Sequence, residues 1–138
     1  MVAFERELIE NPTDLVLVVG DVNSTMACAI VAKKLKIKVG HVEGGIRSFD
    51  LSMPEEINRM VTDAITDYFY VTSKIAIENL KNTGVNEDHI FLVGNTMIDT
   101  LISNFKKLKQ PKIWNEKLLK DGNYIVVTLH RPSNVDQK

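Results

Sequence analysis

Apolar residues along this chain fall in short continuous runs, and the segments between the runs carry apolar residues at helical spacing. The run Leu15–Val19 is entirely apolar and mostly β-branched, a composition typical of a strand that is buried on both faces. Comparable runs predict further strands at 37–42, 68–71, 90–93 and 124–129. Strands that alternate with helices indicate an α/β fold built on a parallel, doubly wound sheet.

Local signals mark the helices between these strands. Helices are predicted over 2–10 and over 26–36, where an alanine-rich segment ends in lysines. Another helix is predicted over 73–82, and Gly84 follows it at a C-terminal cap position. Asn95 is placed to cap a further helix by accepting a hydrogen bond from its first turn.

The helix predicted to begin after Ser52 combines an apolar stripe with a charged face. Ser52 and Glu55 have the spacing of a capping box. On the polar face, Glu55 and Arg59 are spaced for an i, i+4 ion pair, while Glu56 has no comparable partner. Apolar residues at i, i+3, i+4, i+7 and i+8 predict one buried stripe, which consists of Ile57, Met60, Val61, Ala64 and Ile65.

Composition and charge exclude several classes of protein. The chain has 138 residues, of which 44% are hydrophobic, and this suits one ordinary domain with its own core. Its 17 basic and 18 acidic residues give a net charge of -1, so no overall field attracts nucleic acid or a membrane surface. Cys28 is the only cysteine, which excludes an internal disulfide. Because no signal-peptide core and no run of membrane-spanning length is found, we expect a cytoplasmic protein.

The polar residues that could carry chemistry come just after the predicted strands. Asp21, Glu43, Asn95 and His130 each follow the end of a different strand. In open α/β sheets, ligands bind outside the carboxyl ends of the strands. We therefore expect these side chains at one edge of the sheet, where a ligand would bind.

The stretch 40–47 is the richest in candidate chemistry. Gly44 and Gly45 allow the backbone to turn sharply and to approach a ligand closely. Glu43 has neither an exposed helix face nor a capping role, so we interpret it as functional. His41 lies two residues earlier on the same strand face, and we interpret it as mainly structural.

Other candidates have both a structural and a functional interpretation. Asp21 either caps the following helix or acts in the site. Glu55 is explained by its capping box, but it becomes a positioned acid or base if its helix lines a cleft, with Arg59 as its orienting partner or as an anion contact. The pair His130-Arg131 suits donation to a phosphate or to a developing charge. No spacing of ligands suggests a metal site, and the glycine patterns of nucleotide-binding loops are absent.

Five blocks of the chain, in order, resemble the signature segments of the UDP-N-acetylglucosamine 2-epimerases of the non-hydrolysing type. They are Gly20-Asp21-Val22-Asn23-Ser24-Thr25, His41-Val42-Glu43-Gly44-Gly45-Ile46-Arg47, Pro54-Glu55-Glu56-Ile57-Asn58-Arg59, Val93-Gly94-Asn95-Thr96 and His130-Arg131-Pro132-Ser133-Asn134. The resemblance runs through essentially the whole chain. Five blocks together are far more specific than any one of them.

The resemblance implies an activity and a set of site residues. Enzymes of this family interconvert UDP-GlcNAc and UDP-ManNAc by eliminating UDP to leave 2-acetamidoglucal and adding UDP back. They act as cytoplasmic homodimers without a metal or redox cofactor. By motif, the catalytic residues are Asp21, Glu43, Glu55 and His130. The substrate contacts implied in the same way are Arg47, Arg59 and Arg131, and the assignment of base and acid among the carboxylates stays open.

The resemblance also implies a domain organisation, in which an α/β, Rossmann-like parallel sheet forms part of a two-domain GT-B-like architecture. On that pattern, residues 1–105 are the C-terminal part of the first Rossmann-like domain, 106–122 are a linker, and 123–138 hold the first strand of a truncated second domain. We expect such a chain to be an incomplete fragment with weak or no activity. The alternatives are a hydrolysing epimerase that releases ManNAc and UDP, a GT-B glycosyltransferase, and a non-catalytic remnant.

Overall fold

A computed structural model describes residues 1–120, 122–129 and 132–135 of the chain. The chain divides into two compact units, Met1–Ile98 and Asp99–Lys138. Through most of the first unit, helices and strands alternate in the order α1 Val2–Glu10, β1 Leu15–Val19, α2 Asn23–Lys34, β2 Lys38–Val42, α3 Pro54–Ala64, β3 Tyr68–Val71, α4 Lys74–Asn82 and β4 Ile90–Leu92. The remaining α-helices are α5 Thr96–Asn104, α6 Lys112–Glu116 and α7 Pro132–Val135.

The first unit is built on a four-stranded sheet in the order β1-β2-β3-β4, and every neighbouring pair is parallel. The predicted α/β fold with a parallel sheet is therefore confirmed. Three of the predicted helix boundaries are confirmed by side-chain and backbone geometry. Ser73 accepts a hydrogen bond from the Ala76 N–H at the start of α4, and Gly84 follows that helix with φ +89°. Asn95 accepts from the Met97 N–H at 2.9 Å, as predicted for a capping residue.

One face of the sheet is covered by helices and forms the core. Val16, Val18 and Val39 pack against α2 through its buried alanines. Further along the sheet, Phe69 and Val71 pack against α4 in a second cluster. Parallel neighbours joined in strict chain order by right-handed crossovers place their helices on the same side of a sheet.

The opposite face of the sheet is open, and this contradicts the prediction that the first strand is buried on both faces. Leu17 and Val19 are 57% and 58% exposed. Tyr70 and Phe91 stack on the same face, with ring centroids 5.6 Å apart. A second helix layer requires the strand order to reverse, and the four described strands follow chain order without a reversal, so the doubly wound arrangement stays a prediction.

Helix α3 buries polar residues and exposes much of the predicted apolar stripe. Glu56, Asn58, Thr62 and Asp63 are buried, whereas Ile57 is 48% exposed. Met60 and Ala64 are also exposed, although Ile65, just beyond the helix, packs against the core. The inner side of α3 faces backbone turns, whose N–H and C=O groups need polar partners once they are removed from water. That demand outweighs the burial of apolar side chains on this helix.

The predicted capping box at the start of α3 is wrong. Met53 is the N-cap residue and makes no capping hydrogen bond through its side chain, and Pro54 occupies the first helical position. The Ser52 hydroxyl donates instead to Asp50 at 2.6 Å, and the Ser52 N–H donates to the same carboxylate. Because Asp50 is the nearer partner, Ser52 is held in the preceding turn and does not reach the helix.

The second unit does not contain the predicted strand at 124–129. Those residues have no strand assignment, and Ile125 is 87% exposed. A strand is stabilised by hydrogen bonds to a neighbour, and no described segment pairs with this run. Trp114 and Tyr124 meet edge to face with ring centroids 5.1 Å apart. The assignment of 106–122 as a linker between two domains stays a prediction.

Among the residues that the structure describes, no helix has both the length and the apolar character needed to cross a membrane.

Candidate active site

The turn after β1 presents Asp21. Helix α2 begins at Asn23 with Val22 as its N-cap and without a side-chain cap, so the capping interpretation of Asp21 is wrong. The Arg59 guanidinium donates to the Asp21 carboxylate, and the Asn58 amide donates to the Asp21 carbonyl oxygen at 2.8 Å. Two side chains of α3 therefore hold this turn, Arg59 through the carboxylate of Asp21 and Asn58 through its carbonyl oxygen.

The turn after β2 presents Glu43 in a strained conformation. Glu43 has φ +71°, and its N–H donates to the Tyr70 carbonyl oxygen at 2.9 Å. A non-glycine residue in the left-handed region costs about 1–2 kcal/mol, and such strain is concentrated at functional sites. Because Glu43 lies beyond the end of β2, the prediction that it shares a strand face with His41 does not hold.

The two turns adjoin each other at the carboxyl edge of the sheet. The Gly20 N–H donates to the Val42 carbonyl oxygen at 3.1 Å. A Cβ atom built on Gly20 would lie 3.7 Å from the Glu43 Oε2 atom, and Gly20 itself has φ +70°. The glycine therefore lets the first turn pass beside the Glu43 carboxylate, which places Asp21 and Glu43 in neighbouring turns.

Glu55 lies exposed in the first turn of α3, across a cleft from Asp21. This cleft has a volume of about 440 Å³, and its lining is drawn from the turn after β1 and the start of α3. It is lined by Asp21, Val22, Asn23, Ser24, Pro54, Glu55 and Asn58. The predicted ion pair between Glu55 and Arg59 is wrong, because Arg59 donates to Asp21 and Glu56 instead.

Glu56 is a residue whose role the sequence reasoning missed. It is only 1% exposed, and its carboxylate accepts from the Ser48 N–H, the Ser48 hydroxyl and the Phe49 N–H at 2.9, 3.0 and 3.1 Å. Arg59 donates to the same carboxylate at 3.1 Å. Glu56 thus links the loop after β2 to α3. It also positions Arg59, which donates to Asp21 as well.

We expect acid to weaken the fold through Glu56. Burial raises the pKa of this carboxyl, but the hydrogen bonds from Ser48, Phe49 and Arg59 outweigh burial and hold the pKa below 4.5. A depressed pKa means that the ionised carboxylate stabilises the fold above the unfolded pKa, and that this contribution is lost as the pH falls through the folded value. The free energy of unfolding, measured by urea denaturation, should therefore decline below about pH 4.5.

Substitution separates this contribution from that of other carboxyls. Glu56→Gln should cost about 1–3 kcal/mol at neutral pH, because buried donors lose an ionised acceptor, and it should make the decline in acid shallower. Glu55→Gln, one residue earlier and exposed, is the matched control and should change neither quantity appreciably. An unchanged acid profile in Glu56→Gln would contradict this assignment.

Beneath the two turns lies a buried ionic cluster of His41, Asp63 and Arg47. His41 is 1% exposed, and its Nδ1 and Nε2 atoms lie 2.6 Å from Asp63 Oδ1 and 2.8 Å from the Gly20 carbonyl oxygen. Arg47 forms an ion pair with Asp63 Oδ2 at 2.6 Å, and the Gly45 N–H donates to the same oxygen at 3.0 Å. These contacts agree with the interpretation of His41 as mainly structural. The role of Arg47 as a substrate contact stays a prediction, and its side chain is buried against Asp63.

The positioning residues Glu56, Asn58 and Asp63 were not found from the sequence, although part of the signal was present. Glu56, Arg59 and Asp63 fall at i, i+3 and i+7, which places them on one face of a helix. The polar periodicity was as regular as the apolar one, but an apolar stripe ordinarily marks the buried face. His130 and Arg131 lie outside the described residues. Within the described part of the chain, no three histidine, cysteine or carboxylate side chains converge to hold a metal ion.

The fold and the arrangement at the sheet edge define the class of protein. The structure of UDP-GlcNAc 2-epimerase from Methanocaldococcus jannaschii in complex with UDP-GlcNAc and UDP matches with a TM-score of 0.85 at 43% identity. The match covers 99% of this chain and 38% of that chain. This chain is therefore a Rossmann-like α/β unit of the GT-B-like fold.

The sequence comparisons then identify the family. The family model described as UDP-N-acetylglucosamine 2-epimerase matches residues 1–138, so the chain belongs to the UDP-N-acetylglucosamine 2-epimerase family. The UDP-N-acetylglucosamine 2-epimerase of Methanocaldococcus jannaschii is 44% identical over 141 residues, with 100% of this chain covered. The UDP-2,3-diacetamido-2,3-dideoxy-D-glucuronate 2-epimerase of Pseudomonas aeruginosa is 37% identical over 138 residues, with 99% covered. The chain spans about 38% of the length of both relatives.

Proposed function

We propose that this chain supplies the proton-transfer groups of a non-hydrolysing UDP-GlcNAc 2-epimerase, which interconverts UDP-GlcNAc and UDP-ManNAc. The observation that carries the proposal is the placement of Asp21, Glu43 and Glu55 around neighbouring turns at the carboxyl edge of the sheet. Epimerisation at C2 requires one group to remove a proton and another to return it on the opposite face of the sugar. Asp21 and Glu55 line one cleft and Glu43 lies in the adjoining turn, so this arrangement meets that requirement.

The three carboxylates differ in their partners, and this difference supports separate roles. Asp21 is held by Arg59, which fixes the direction of its carboxylate. Among the described residues, the carboxylates of Glu43 and Glu55 accept no hydrogen bond, which leaves both able to exchange a proton with a substrate. Glu43 and Glu55 are therefore our candidates for the base and the acid, and Asp21 forms an ion pair with Arg59.

The proposed reaction proceeds by elimination and addition. Loss of the C2 proton and of the UDP oxygen from C1 forms the C1–C2 double bond of 2-acetamidoglucal. A proton then enters at C2 from the other face while UDP returns to C1. By motif, His130 and Arg131 would stabilise the charge that develops on the departing diphosphate, as donors placed at a leaving group do.

The proposal extends to the setting of the reaction. We propose a cytoplasmic homodimer that needs no metal or redox cofactor, and we propose that the 138-residue chain by itself has weak or no activity. The motive for the last point is that the chain spans about 38% of the length of its relatives. The remaining alternatives are a hydrolysing epimerase, a GT-B glycosyltransferase and a non-catalytic remnant.

A chimera tests whether these residues carry the chemistry. The matched segment of the Methanocaldococcus jannaschii relative is replaced by this chain, and the products from UDP-GlcNAc are separated by chromatography. We expect UDP-ManNAc from the chimera and from the unsubstituted relative, and little or none from the 138-residue chain alone. Free ManNAc with UDP would instead indicate the hydrolysing reaction, and a folded but inactive chimera would refute the proposal.

A second substrate class is favoured by one observation. The Pseudomonas aeruginosa relative, 37% identical over 138 residues, is named for UDP-2,3-diacetamido-2,3-dideoxy-D-glucuronate. The chemistry at C2 is the same for that sugar, so the same carboxylates would serve it. Supplying both nucleotide sugars to the chimera separates the two possibilities, and we expect the higher kcat/KM with UDP-GlcNAc.

A further inference from the structure

The buried cluster beneath the two carboxylate turns has a specific hydrogen-bond pattern. The His41 ring contacts the Gly20 carbonyl oxygen through Nε2 and the Asp63 carboxylate through Nδ1. Asp63 in turn accepts from the Gly45 N–H and forms an ion pair with Arg47. The chain of contacts thus begins in the turn that carries Asp21 and ends in the turn that carries Glu43.

We propose that His41 is a buried imidazolium, and that His41 and Asp63 are positioning residues which fix the Asp21 and Glu43 turns relative to each other. The proposed consequence for catalysis rests on the epimerase function proposed above. The charge state of the ring and the link between the turns do not depend on that function.

The charge of the ring follows from its two neighbours. A neutral imidazole has one N–H donor and one acceptor nitrogen, whereas the charged ring donates from both nitrogens. The Gly20 carbonyl oxygen can only accept, and it lies 2.8 Å from Nε2. An ionised Asp63 can also only accept, and it lies 2.6 Å from Nδ1. A neutral ring would therefore place a lone pair against an acceptor at one of these contacts.

Two further contacts of Asp63 come from groups that suit a charged carboxylate. Arg47 forms an ion pair with Oδ2 at 2.6 Å, and the Gly45 N–H donates to the same atom at 3.0 Å. Both donors stabilise the charged form of a carboxylate. The groups that face the His41 ring are then the anionic Asp63 from α3 and the neutral Gly20 carbonyl, and the nearby cation Arg47 is held on the far oxygen of Asp63.

The packing above the pair shows that the cluster and the glycine turn fit each other closely. A Cβ atom on Gly44 would lie 3.4 Å from both His41 Nδ1 and Asp63 Oδ1, and 3.0 Å from Phe69. The backbone of the turn therefore rests directly on the ion pair. Gly45 is held from the other side, where its carbonyl oxygen accepts from the Asn79 amide at 2.9 Å.

The contacts of His41 and Gly45 with Asp63, which we call the clamp, explain how Glu43 keeps an unfavourable backbone conformation. Glu43 has φ +71° and lies between His41 and Gly45, which are both tied to Asp63. Strained residues persist where the surrounding structure over-determines them. Loss of the clamp should release Glu43 and shift its carboxylate away from the Gly20 turn, with no direct loss of a group that touches substrate.

Nitrogen NMR on the unsubstituted 138-residue chain tests the charge and the link directly. We expect both His41 ring nitrogens to carry hydrogens and to have the shifts of a charged ring at neutral pH. We also expect a correlation across the hydrogen bond from Nε2–H to the Gly20 carbonyl carbon. His89, which is exposed, serves as the internal reference ring. An unprotonated nitrogen in the His41 ring would overturn the proposal, whether or not the chain belongs to an active epimerase.

Substitution of Asp63 tests the positioning role. Asp63→Asn removes the charge with little change of shape, and we expect shifted backbone amide signals at 20–21 and 43–45. Asp67→Asn is the control, because it breaks the Lys33 ion pair at the other edge of the sheet and should leave those signals in place. In a chimera that is active, Asp63→Asn should lower kcat by about 10–100-fold and leave KM within about twofold, since misplaced groups lose rate more than ground-state binding.

The tests of the positioning role can fail or succeed independently of the test of the epimerase function. Unchanged amide signals in Asp63→Asn would overturn the positioning role, and so would a KM that rises while kcat is retained. If Asp63→Asn does not fold, the ring and cross-hydrogen-bond measurements on the unsubstituted chain decide the matter. An inactive chimera with a charged His41 ring would count against the epimerase function and leave the clamp in place.

Discussion

Glu43→Gln is expected to abolish most of the epimerase activity of the chimera, with a fall in kcat of about 10²–10⁴-fold, the range typical for loss of a general acid or base. The substitution keeps the size of the side chain and the same backbone requirement at φ +71°, so the turn itself should be retained. Glutamine cannot take up or release a proton at the sugar carbon. Exchange of the C2 hydrogen for deuterium in heavy water measures that step directly and should fall in parallel with turnover.

The comparison with other carboxylates makes this expectation specific. Glu78, an exposed residue of α4, is the matched control, and Glu78→Gln should retain full activity. Glu55→Gln should resemble Glu43→Gln, because both carboxylates lack a hydrogen-bond partner among the described residues. Full exchange at C2 in Glu43→Gln would exclude this residue as the base. Loss of turnover with retained exchange would place it at the other proton-transfer step.

The largest effect on stability is expected for Gly45→Ala. Gly45 has φ +78°, and a Cβ atom there would lie 2.5 Å from the Ala76 carbonyl oxygen and 2.8 Å from Leu80 Cγ. The left-handed conformation costs about 1–2 kcal/mol for alanine, and the overpacking adds about 1–3 kcal/mol. Because the clash is partly with backbone, α4 would have to move. Urea denaturation should show a loss of about 2–5 kcal/mol in the free energy of unfolding.

Gly84→Ala is the matched control for this prediction. Gly84 has φ +89°, but a Cβ atom there would meet nothing within 4 Å. Its substitution should therefore cost only the conformational term of about 1–2 kcal/mol. The difference between the two variants isolates the close packing of the turn after β2 on α4. Equal losses in both variants would mean that this packing does not constrain Gly45.

Some elements could be predicted because their signals are local. The run at β1 is apolar over consecutive residues, and Ser73 and Gly84 mark the ends of α4 by the hydrogen bonds and backbone angles that they adopt. Local backbone preferences act within a few residues, so they can be recognised in the sequence without knowledge of the fold. Placement of Asp21 and Glu43 at one edge could be predicted as well, because parallel strands bring their carboxyl ends together.

The partners of the site residues could not be predicted in the same way. Glu55 and Arg59 have the i, i+4 spacing of a helical ion pair. The Arg59 side chain nevertheless donates to Asp21, 38 residues away, and to Glu56. The choice depends on where α3 lies relative to the turn after β1. Asp63 likewise gains its role only because the turn holding Gly45 is folded over it.

The order of strands and helices, the parallel sheet, and the positions of Asp21, Glu43 and Glu55 in the turns and helix start that flank the sheet edge all follow from local sequence patterns. The tertiary structure alone decided which face of α3 is buried, that one face of β1 is open, and that 124–129 form no strand. The physical reason is that burial and pairing depend on neighbours distant in the chain. On α3 the buried face is polar because it must satisfy the backbone of turns that only the folded chain brings beside it.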